Sequence, residues 1–381
     1  MSTVSDLSED LVGEIFYRVP LTSLMAVRST CRDWNALSNI HIMGKKATSK
    51  QFLGFRLRDS RVYSMKFNLQ GVHNDYDIVD PCIKIVSVLG HLEISKLLSH
   101  CNGLVLCVTE DLKLLLWNPY LGQTSLTKRS KPLKYFSRHD KFGLGYDNIK
   151  GYHKILRVYE REDGSLRSGI YDCNSNLWRL IRVTPEWDIR DHVSSMSLNG
   201  NNYFLAHEYS TKYWWLKTNY VWCLLCFDYT AERFGPLLPL PFQSYSHHSS
   251  ESVALSCVRD EQLALLYIRN DGIMKIWITT KIDPNSVSWS MFLEVDTRSF
   301  PRRPTLFKDG TFFIDDEKKV AVVCGFGEHR PTKKCWYHTA YIIGEDGYFK
   351  SVDIGETLSA NFFYCNPVMF SSYVPSLVQL K

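Results

Sequence analysis

A repeat of aromatic-ended apolar runs is the feature of this sequence that most limits how the chain can fold. Between residues 95 and 355, five short apolar runs each end in an aromatic residue and then enter a polar turn. These aromatic residues recur at similar intervals and are Trp117, Tyr171, Phe227, Trp277 and Tyr341. In three cases a second aromatic follows shortly afterwards, which predicts the return strand of a hairpin: Trp178, Phe234 and Phe349.

The repeat predicts a β propeller. After about residue 50, short apolar runs alternate with turn dipeptides such as Asn102-Gly103 and Asn199-Gly200, which favour hairpins. Aromatic residues, which favour strands, make up 13% of the chain. Four short strands per unit, at a period above about forty residues, are typical of a propeller blade, which is stable only in a closed ring.

The count of repeats predicts six blades. Five units carry an aromatic marker, and residues 51–92 leave room for one more. Five or seven blades remain alternatives, and so does a pair of β-sandwiches, although the period speaks against the sandwiches. The tail, residues 368–380, is predicted to close the ring by adding a strand to an early blade, which would remove the last unpaired edge.

The first forty residues differ from the rest because they are predicted to form three short helices. Asp6 and Glu9 have the spacing of a capping box, and Pro20 ends the first helix. One apolar stripe at helical spacing runs through Leu7, Leu11, Ile15 and Val19. Three short helices bury too little surface to be stable alone. Their exposed apolar side chains therefore either dock on the rest of the chain or bind a partner.

The segment from Leu7 to Leu37 resembles an F-box. The family's pattern is matched at Asp10-Leu11, Glu14-Ile15, Val19-Pro20, Ser23-Leu24, Arg28, Cys31 and Trp34, with Ser8 in place of the usual proline. The resemblance implies an F-box domain over residues 1–44 that binds the Skp-type adaptor of cullin-based ubiquitin ligases. By the same resemblance, the residues that contact the adaptor are Leu7, Leu11, Ile15, Pro20, Leu24, Cys31 and Trp34.

The remaining chain, residues 45–381, resembles the plant F-box-associated domain, which has kelch-like relatives. The matching pieces include "CNGLVLC" at 101–107, "LLLWNPYLGQT" at 114–124, "FGLGYD" at 142–147 and "YDCNSNLWRLI" at 171–181. Each piece is weak alone, and the combination is specific. The resemblance implies that this domain holds a protein substrate for degradation.

Composition narrows the class of protein. Hydrophobic residues make up 45% of the chain and charged residues 22%, as in globular proteins, and the formal net charge of +5 is too small to indicate nucleic acid as a partner. No apolar run is long enough to span a membrane. The 11 cysteines are irregularly spaced and no signal peptide is evident at the N-terminus, so we expect an intracellular protein, in the nucleus or the cytoplasm, with reduced thiols.

No motif in the sequence predicts catalysis, a metal or another cofactor. Cys223 and Cys226 are spaced like metal ligands, but in a strand they point to opposite faces, which favours core cysteines. A second set, Cys324, His329, Cys335 and His338, has the same difficulty. A propeller enzyme that acts on glycans needs two converging carboxylates. The only candidate pair is Asp315-Asp316, whose side chains diverge if both lie on a strand.

Two loops are candidates for partner binding. Tyr213, Trp214 and Trp215 lie in a connection between two predicted strands, and Trp and Tyr are common hot-spot residues at interfaces. These rings either bind the target or fill the packing between blades. Residues 125–141 carry six Lys or Arg and one Asp, which fits either a patch for an acidic partner or a solvated loop.

These patterns and resemblances together predict the substrate-recognition subunit of a Skp–cullin–F-box ubiquitin ligase. The chain itself would perform no covalent chemistry, and it would act by holding a target protein near a ubiquitin-conjugating enzyme. Two alternatives remain open. One is a propeller that binds or acts on a carbohydrate or small molecule, and the other is an F-box protein with a non-degradative role.

Overall fold

The structure is a computed structural model in which the described residues form 24 strands. No helix among these residues is both long and apolar enough to cross a membrane. The described residues are Leu11, 52–67, 69, 81–86, 89–128, 136–137, 139–183, 187–189, 195–207, 222–242, 251–258, 261–269, 271–300, 306–330, 335–358, 373 and 375–380.

The strands form six antiparallel sheets, numbered here in chain order. Sheet 1 has three strands: β1 (Phe52–Arg58), β2 (Arg61–Phe67) and β3 (Pro81–Ile85). Sheet 2 contains β4 (Ile94–Cys101), β5 (Leu104–Thr109), β6 (Leu114–Asn118) and β7 (Gln123–Leu126). Sheet 3 contains β8 (Lys141–Asp147), β9 (Tyr152–Glu160), β10 (Leu166–Asp172) and β11 (Leu177–Ile181).

The second half of the chain repeats this plan. Sheet 4 has five strands: β12 (Asp188–Ile189), β13 (Met196–Leu198), β14 (Asn201–His207), β15 (Trp222–Asp228) and β16 (Arg233–Pro239). Sheet 5 contains β17 (Ser252–Val258), β18 (Gln262–Ile268), β19 (Ile273–Asp283) and β20 (Ser286–Asp296). Sheet 6 contains β21 (Leu306–Asp315), β22 (Val320–Arg330), β23 (Cys335–Gly344) and β24 (Phe349–Leu358).

Six apolar clusters join these sheets into a closed ring. Each cluster takes its buried side chains from two sheets that follow one another in the chain, and one cluster joins sheet 6 to sheet 1. Between sheets 6 and 1, the rings of Phe313 and Phe67 lie 5.3 Å apart. Between sheets 1 and 2, Phe55 meets Trp117 edge-on at 4.9 Å. Ring closure therefore covers both faces of every sheet, which a single blade cannot do alone.

The aromatic residues that define the sequence repeat hold the same place in each sheet. In sheet 4, β12 and β13 both pair with β14 and are counted here together as the first strand. With this count the third strand of each sheet carries one of the five aromatic residues, all buried: Trp117, Tyr171, Phe227, Trp277 and Tyr341. The second aromatics lie on the following strand, and Tyr171 pairs with Trp178 as Phe227 pairs with Phe234. The predicted hairpins are therefore present, because each third strand needs a large side chain to fill the space between neighbouring sheets.

The blade count differs from the prediction. Sheets 2 to 6 have four or five strands each and are five complete blades, whereas six were predicted. Sheet 1 completes the ring with three strands among the described residues. Among the described residues of the stretch 51–92, the strands are β1, β2 and β3, and the segment 68–80 separates β2 from β3.

The tail packs against sheet 2 but does not form the predicted closing strand over residues 375–380. The Asn118 side-chain amide donates to the carbonyl oxygens of Ser376, at 3.1 Å, and Val378, at 2.7 Å. The Tyr373 hydroxyl donates to the carbonyl oxygen of Gly103 at 2.8 Å. Over residues 375–380 side-chain hydrogen bonds thus hold the tail without a strand, and Pro375 has no N–H to donate to one. Residues 368–372 and 374 of the predicted closing strand lie outside the described residues.

Candidate functional site

Almost all of the predicted adaptor-binding residues lie outside the described residues. They are Leu7, Ile15, Pro20, Leu24, Cys31 and Trp34, and the three predicted helices are outside with them. Leu11 is described, lies in an α-helix and is 55% exposed. An exposed leucine at this position is what a surface that receives a partner requires.

Tyr213, Trp214 and Trp215 also lie outside the described residues, but the strand ends on either side of them are described. His207 at the end of β14 pairs with Trp222 at the start of β15, and the connection between them runs from 208 to 221. The equivalent connections between second and third strands are much shorter in the other blades, at 110–113, 161–165, 269–272 and 331–334. Among sheets 2 to 6 this insertion is therefore specific to sheet 4, and long insertions on a rigid scaffold commonly carry binding residues.

The long connections of sheets 2 to 6 start at one end of the ring. Within each sheet successive strands alternate in direction. The connection between the second and third strands and the connection that leads to the next sheet therefore lie at the same end of the ring. This end is here named the loop end. The long connections at this end are 127–140, 208–221, 240–251 and 297–305. Thr297 at the start of one of them donates its N–H to the carbonyl of Gly272 in the β18–β19 turn, at 2.9 Å.

The opposite end of sheets 2 to 6 carries only tight turns, such as 102–103, 148–151 and 284–285. Turns of neighbouring sheets bond to one another there, since the Asn148 amide donates to the carbonyl of Asn199 at 3.1 Å and the Asn148 N–H donates to the Thr230 hydroxyl at 3.2 Å. Asn102 and Asn199 have φ values of 47° and 53°, the left-handed geometry that the Asn-Gly dipeptides predict. The loop end therefore carries the long connections of sheets 2 to 6 and is the candidate site for a partner.

The Cys223 and Cys226 thiols do not form a metal site. Cys223 packs in the cluster between sheets 3 and 4, whereas Cys226 packs in the cluster between sheets 4 and 5. The two side chains thus lie on opposite faces of β15, as the strand spacing predicts. Burial raises the pKa of the Cys226 thiol to about 12, so it is protonated and chemically inert near neutral pH.

Only two members of the second set of candidate metal ligands have described side chains. Cys324 and His338 are buried, while the side chains of His329 and Cys335 lie outside the described residues. Burial raises the pKa of Cys324 to about 12. Across the described part of the chain, no group of three or more His, Cys, Asp or Glu is placed to hold a metal ion.

The candidate carboxylate pair lies at the end of a strand. Asp315 ends β21 and Asp316 follows in the turn. Burial raises the pKa of the Asp315 carboxyl.

One polar site was missed by the sequence analysis. Arg56 and Arg58 alternate along β1 on the face that packs against sheet 6, and Tyr63 pairs with Arg56 from β2. Arg56 is only 2% exposed. Burial, and then the neighbouring charge of Arg58, lower the pKa of Arg56 to about 10. The available signal was the alternation of Arg with Phe55 and Leu57, because a strand inside a propeller ring is expected to be apolar on both faces.

Comparisons with known proteins agree with the two-part organisation. The family model described as F-box associated beta propeller domain matches residues 53–380, and the model described as F-box domain matches residues 4–46. An F-box/kelch-repeat protein of Arabidopsis thaliana is 50% identical over 395 residues, covering 100% of this chain and 97% of the relative. A putative F-box protein of the same plant is 51% identical over 395 residues, covering all of both chains.

A third relative, an F-box protein of Arabidopsis thaliana, is 50% identical over 385 residues and also covers both chains in full. The sequence resemblances to the F-box and to the F-box-associated domain are therefore confirmed. Together with the closed ring of sheets, these matches show that the chain belongs to the F-box proteins that carry an F-box associated β propeller domain.

Proposed function

We propose that this chain is the substrate-recognition subunit of a Skp–cullin–F-box ubiquitin ligase and that it directs a target protein to ubiquitination and degradation. The observation that carries the proposal is the pairing of an F-box with a propeller in one chain, shared over full length with F-box proteins. An F-box supplies the link to the adaptor and cullin, and the propeller supplies a rigid second binding surface. The chain acts by tethering, which raises the effective concentration of target lysines.

The division of labour follows the domain boundary predicted near residues 44 and 45. Residues 1–44 bind the Skp-type adaptor through Leu7, Leu11, Ile15, Pro20, Leu24, Cys31 and Trp34. Residues 45–381 hold the target, with sheet 1 acting as an incomplete sixth blade. No catalytic residue, cofactor, membrane or nucleic acid enters this function, and we place it inside the cell, in the nucleus or the cytoplasm.

Adaptor binding is tested by pull-down of a Skp-type adaptor with the double variant Leu11→Asp and Trp34→Ala. Loss of two apolar contacts, each worth about 2–5 kcal/mol, should abolish binding while the propeller stays folded. Ile149→Asp is the matched control, because Ile149 is 84% exposed in a tight turn of the propeller and its change should leave adaptor binding intact. Capture of the adaptor by the double variant would refute adaptor binding through Leu11 and Trp34.

Target binding is proposed for the loop end, led by Tyr213, Trp214 and Trp215. The support is the long connection 208–221, which sheets 2, 3, 5 and 6 lack at the equivalent place. Replacing the three residues with Ser should remove target proteins from co-purification while the adaptor stays bound and the melting temperature stays near that of the wild type.

The control for this experiment is the double variant Leu177→Ser and Leu180→Ser. Both leucines are exposed on β11 and so offer apolar surface away from the candidate loop. That variant should keep every partner. A fall of many degrees in the melting temperature of the loop variant would show that its rings fill the core, and a loop variant that keeps all partners would remove the loop from the proposal.

A further inference from the structure

The contact between sheets 6 and 1 contains a buried cation whose hydrogen-bonding groups are incompletely used. The Nη1 atom of Arg56 donates to the carbonyl oxygen of Ile354. Its Nε and Nη2 atoms are buried and have no hydrogen-bond partner among the described residues. An unsatisfied buried donor is costly, and a charged one more so.

The two Arg56 nitrogen atoms without a partner have a specific geometry. In a guanidinium group, Nε and Nη2 lie along one edge and donate in parallel, which is the arrangement that grips two oxygen atoms of one carboxylate or phosphate. The atom bonded to Ile354, Nη1, lies on the other side. The edge of Arg56 that is suited to a bidentate oxyanion is therefore buried and has no acceptor among the described residues.

A second cation converges on the same place. The Nη1 atoms of Arg56 and Arg58 lie 3.2 and 3.5 Å from the point where a β-carbon on Gly355 would stand. Gly355 has a φ of +108°, and it follows a β-bulge at which β24 gains one residue over β23. The bulge and the missing side chain give the two guanidinium groups room side by side, and bulges of this kind are common next to binding sites.

The surrounding pocket has room for more than a single ion. It has a volume of about 530 Å³ and is lined by both arginines, Tyr63, Ile83 and Asp353–Gly355. Volumes of this size are typical of sites for small ligands. Tyr63, Ile83 and Ile354 are the apolar residues of this lining. The pocket thus combines two cationic side chains with apolar residues.

The one carboxylate in the pocket does not neutralise Arg56. An Asp353 side-chain oxygen accepts the N–H of Gly355 at 2.7 Å. No salt bridge joins Asp353 to Arg56 or Arg58 among the described residues, and the Arg58 bond is to Asp59 at 3.3 Å instead. The charge of Asp353 raises the pKa of Arg56 but does not offset the effect of burial, and the Nε and Nη2 atoms keep no acceptor among the described residues.

The pocket also lies towards the loop end of the ring. Arg58 is the last residue of β1, and Ser60 follows in the β1–β2 turn. The Ser60 hydroxyl donates to Glu110 at 2.7 Å, in the connection between the second and third strands of sheet 2. A ligand in this pocket is therefore placed at the same end as the long connections.

We propose that the pocket formed by Arg56, Arg58 and Gly355 binds an oxyanion, a carboxylate or a phosphoryl group, that is carried on an apolar stem. The Nε–Nη2 edge of Arg56 holds two oxygen atoms of the group, Arg58 holds the excess charge, and the stem lies against Ile83 and Ile354. The anion comes either from a free organic acid or phosphate ester, or from a side chain of a bound protein. The site does not depend on the proposed role in a ligase.

The test is calorimetric titration of the purified full chain at constant ionic strength. The probes are phenyl phosphate, phenylacetate, inorganic phosphate and, as the neutral counterpart, benzyl alcohol. We expect the two organic anions to bind and benzyl alcohol not to bind. Arg56→Met should weaken anion binding at least tenfold, because it removes the bidentate edge. Arg167→Gln, an exposed arginine on β10, is the matched control and should bind like the wild type.

Arg56→Lys is a second variant in case Arg56→Met does not fold. It keeps the positive charge but loses the paired donors, so it should also bind the organic anions at least tenfold more weakly than the wild type. Equal binding by the wild type and Arg56→Met, or no binding of either organic anion by a folded wild type, would overturn the proposal. A preference for phenyl phosphate over phenylacetate identifies a phosphoryl ligand, and the reverse identifies a carboxylate. A short phosphotyrosine peptide that binds as well as phenyl phosphate identifies a protein side chain as the source, whereas its exclusion identifies a free small anion.

Discussion

Two contacts between neighbouring sheets bury a cation, and they differ in how many of its donors have acceptors. Between sheets 3 and 4, the Lys154 ammonium group lies 2.6 Å from a carboxylate oxygen of Asp147 and 2.7 Å from one of Glu232. It also donates to the carbonyl oxygen of Tyr229 at 3.0 Å. All three donors of this ammonium group therefore have acceptors. Between sheets 6 and 1, Arg56 makes one hydrogen bond and meets no carboxylate among the described residues.

The difference also appears in the ionisation of the groups. Burial alone would lower the pKa of Lys154, but the hydrogen bonds of Asp147 and Glu232 outweigh it and raise that pKa. At Arg56 burial prevails, the charge of Arg58 adds to it, and the pKa falls to about 10. A buried charge with complete partners joins two sheets, whereas one without them costs stability. Such a departure from consistent packing is expected at sites retained for binding.

Removing the paired cation should have the largest effect. Lys154→Met leaves the buried carboxylate of Asp147 without a counter-charge, while Glu232 keeps its salt bridge to Arg179. Breaking a buried pair in this way costs about 3–5 kcal/mol. Urea unfolding of the full chain measures the loss. Lys150→Met, at an exposed lysine of the adjacent β8–β9 turn, should change stability by less than about 0.5 kcal/mol. A loss below about 1 kcal/mol for Lys154→Met would show that the pair does not join the sheets.

The other side of sheet 1 offers a second comparison, because the tail secures it against sheet 2. Tyr373 is buried, its ring lies 5.2 Å from that of Phe55, and its hydroxyl bonds to Gly103. Tyr373→Ala should destabilise the chain by about 3 kcal/mol through the cavity that it leaves. Tyr373→Phe removes only the hydrogen bond and should cost about 1 kcal/mol. Equal unfolding midpoints for the wild type and Tyr373→Ala would mean that the tail does not hold the ring.

Acid should weaken the Arg56 contact before the Lys154 contact. Burial and the charges of Arg56 and Arg58 lower the pKa of His338 to about 3, so the folded chain keeps this ring neutral. The unfolded chain binds a proton below about pH 6.5, so stability falls as pH falls from 6.5 towards 3. One such histidine accounts for about 2 kcal/mol between pH 7 and pH 5. The pKa values of Asp147 and Glu232 are lowered instead, which keeps the Lys154 network charged over this range.

Urea unfolding at pH 7 and pH 5 tests this difference. His338→Gln should make the loss between the two pH values smaller by about 2 kcal/mol, since glutamine does not titrate. His100 and His153, whose pKa values burial lowers to about 4, should continue to contribute in the variant. An unchanged pH dependence in His338→Gln would show that this histidine is already protonated in the folded chain.

The strands could be predicted from the sequence, but the contacts of the buried cations could not. The third strands could be located because each must carry a large buried aromatic residue, and the opposite faces of Cys223 and Cys226 follow from the two-residue period of a strand. The partners of Lys154 could not be found, because Glu232 lies 78 residues away and meets it only after two sheets pack. The sequence also does not reveal that the Asn118 side chain binds the carbonyl groups of Ser376 and Val378, whereas most of the first half of the predicted closing strand lies outside the described residues.

Arg56→Met should have the smallest effect on stability, and it is the direct counterpart of Lys154→Met. Methionine fills a similar volume without burying a charge, and replacing an incompletely paired buried ion with an apolar residue is often neutral or stabilising. We therefore expect the free energy of unfolding to stay within about 1 kcal/mol of the wild type or to rise, measured by urea unfolding without organic anions. A loss of about 3 kcal/mol or more would place Arg56 in the same class as Lys154, as a charge that holds two sheets together. A neutral result, beside a large loss for Lys154→Met, would show that Arg56 is not needed for folding, and its open donor edge would then have to be explained by what the pocket binds.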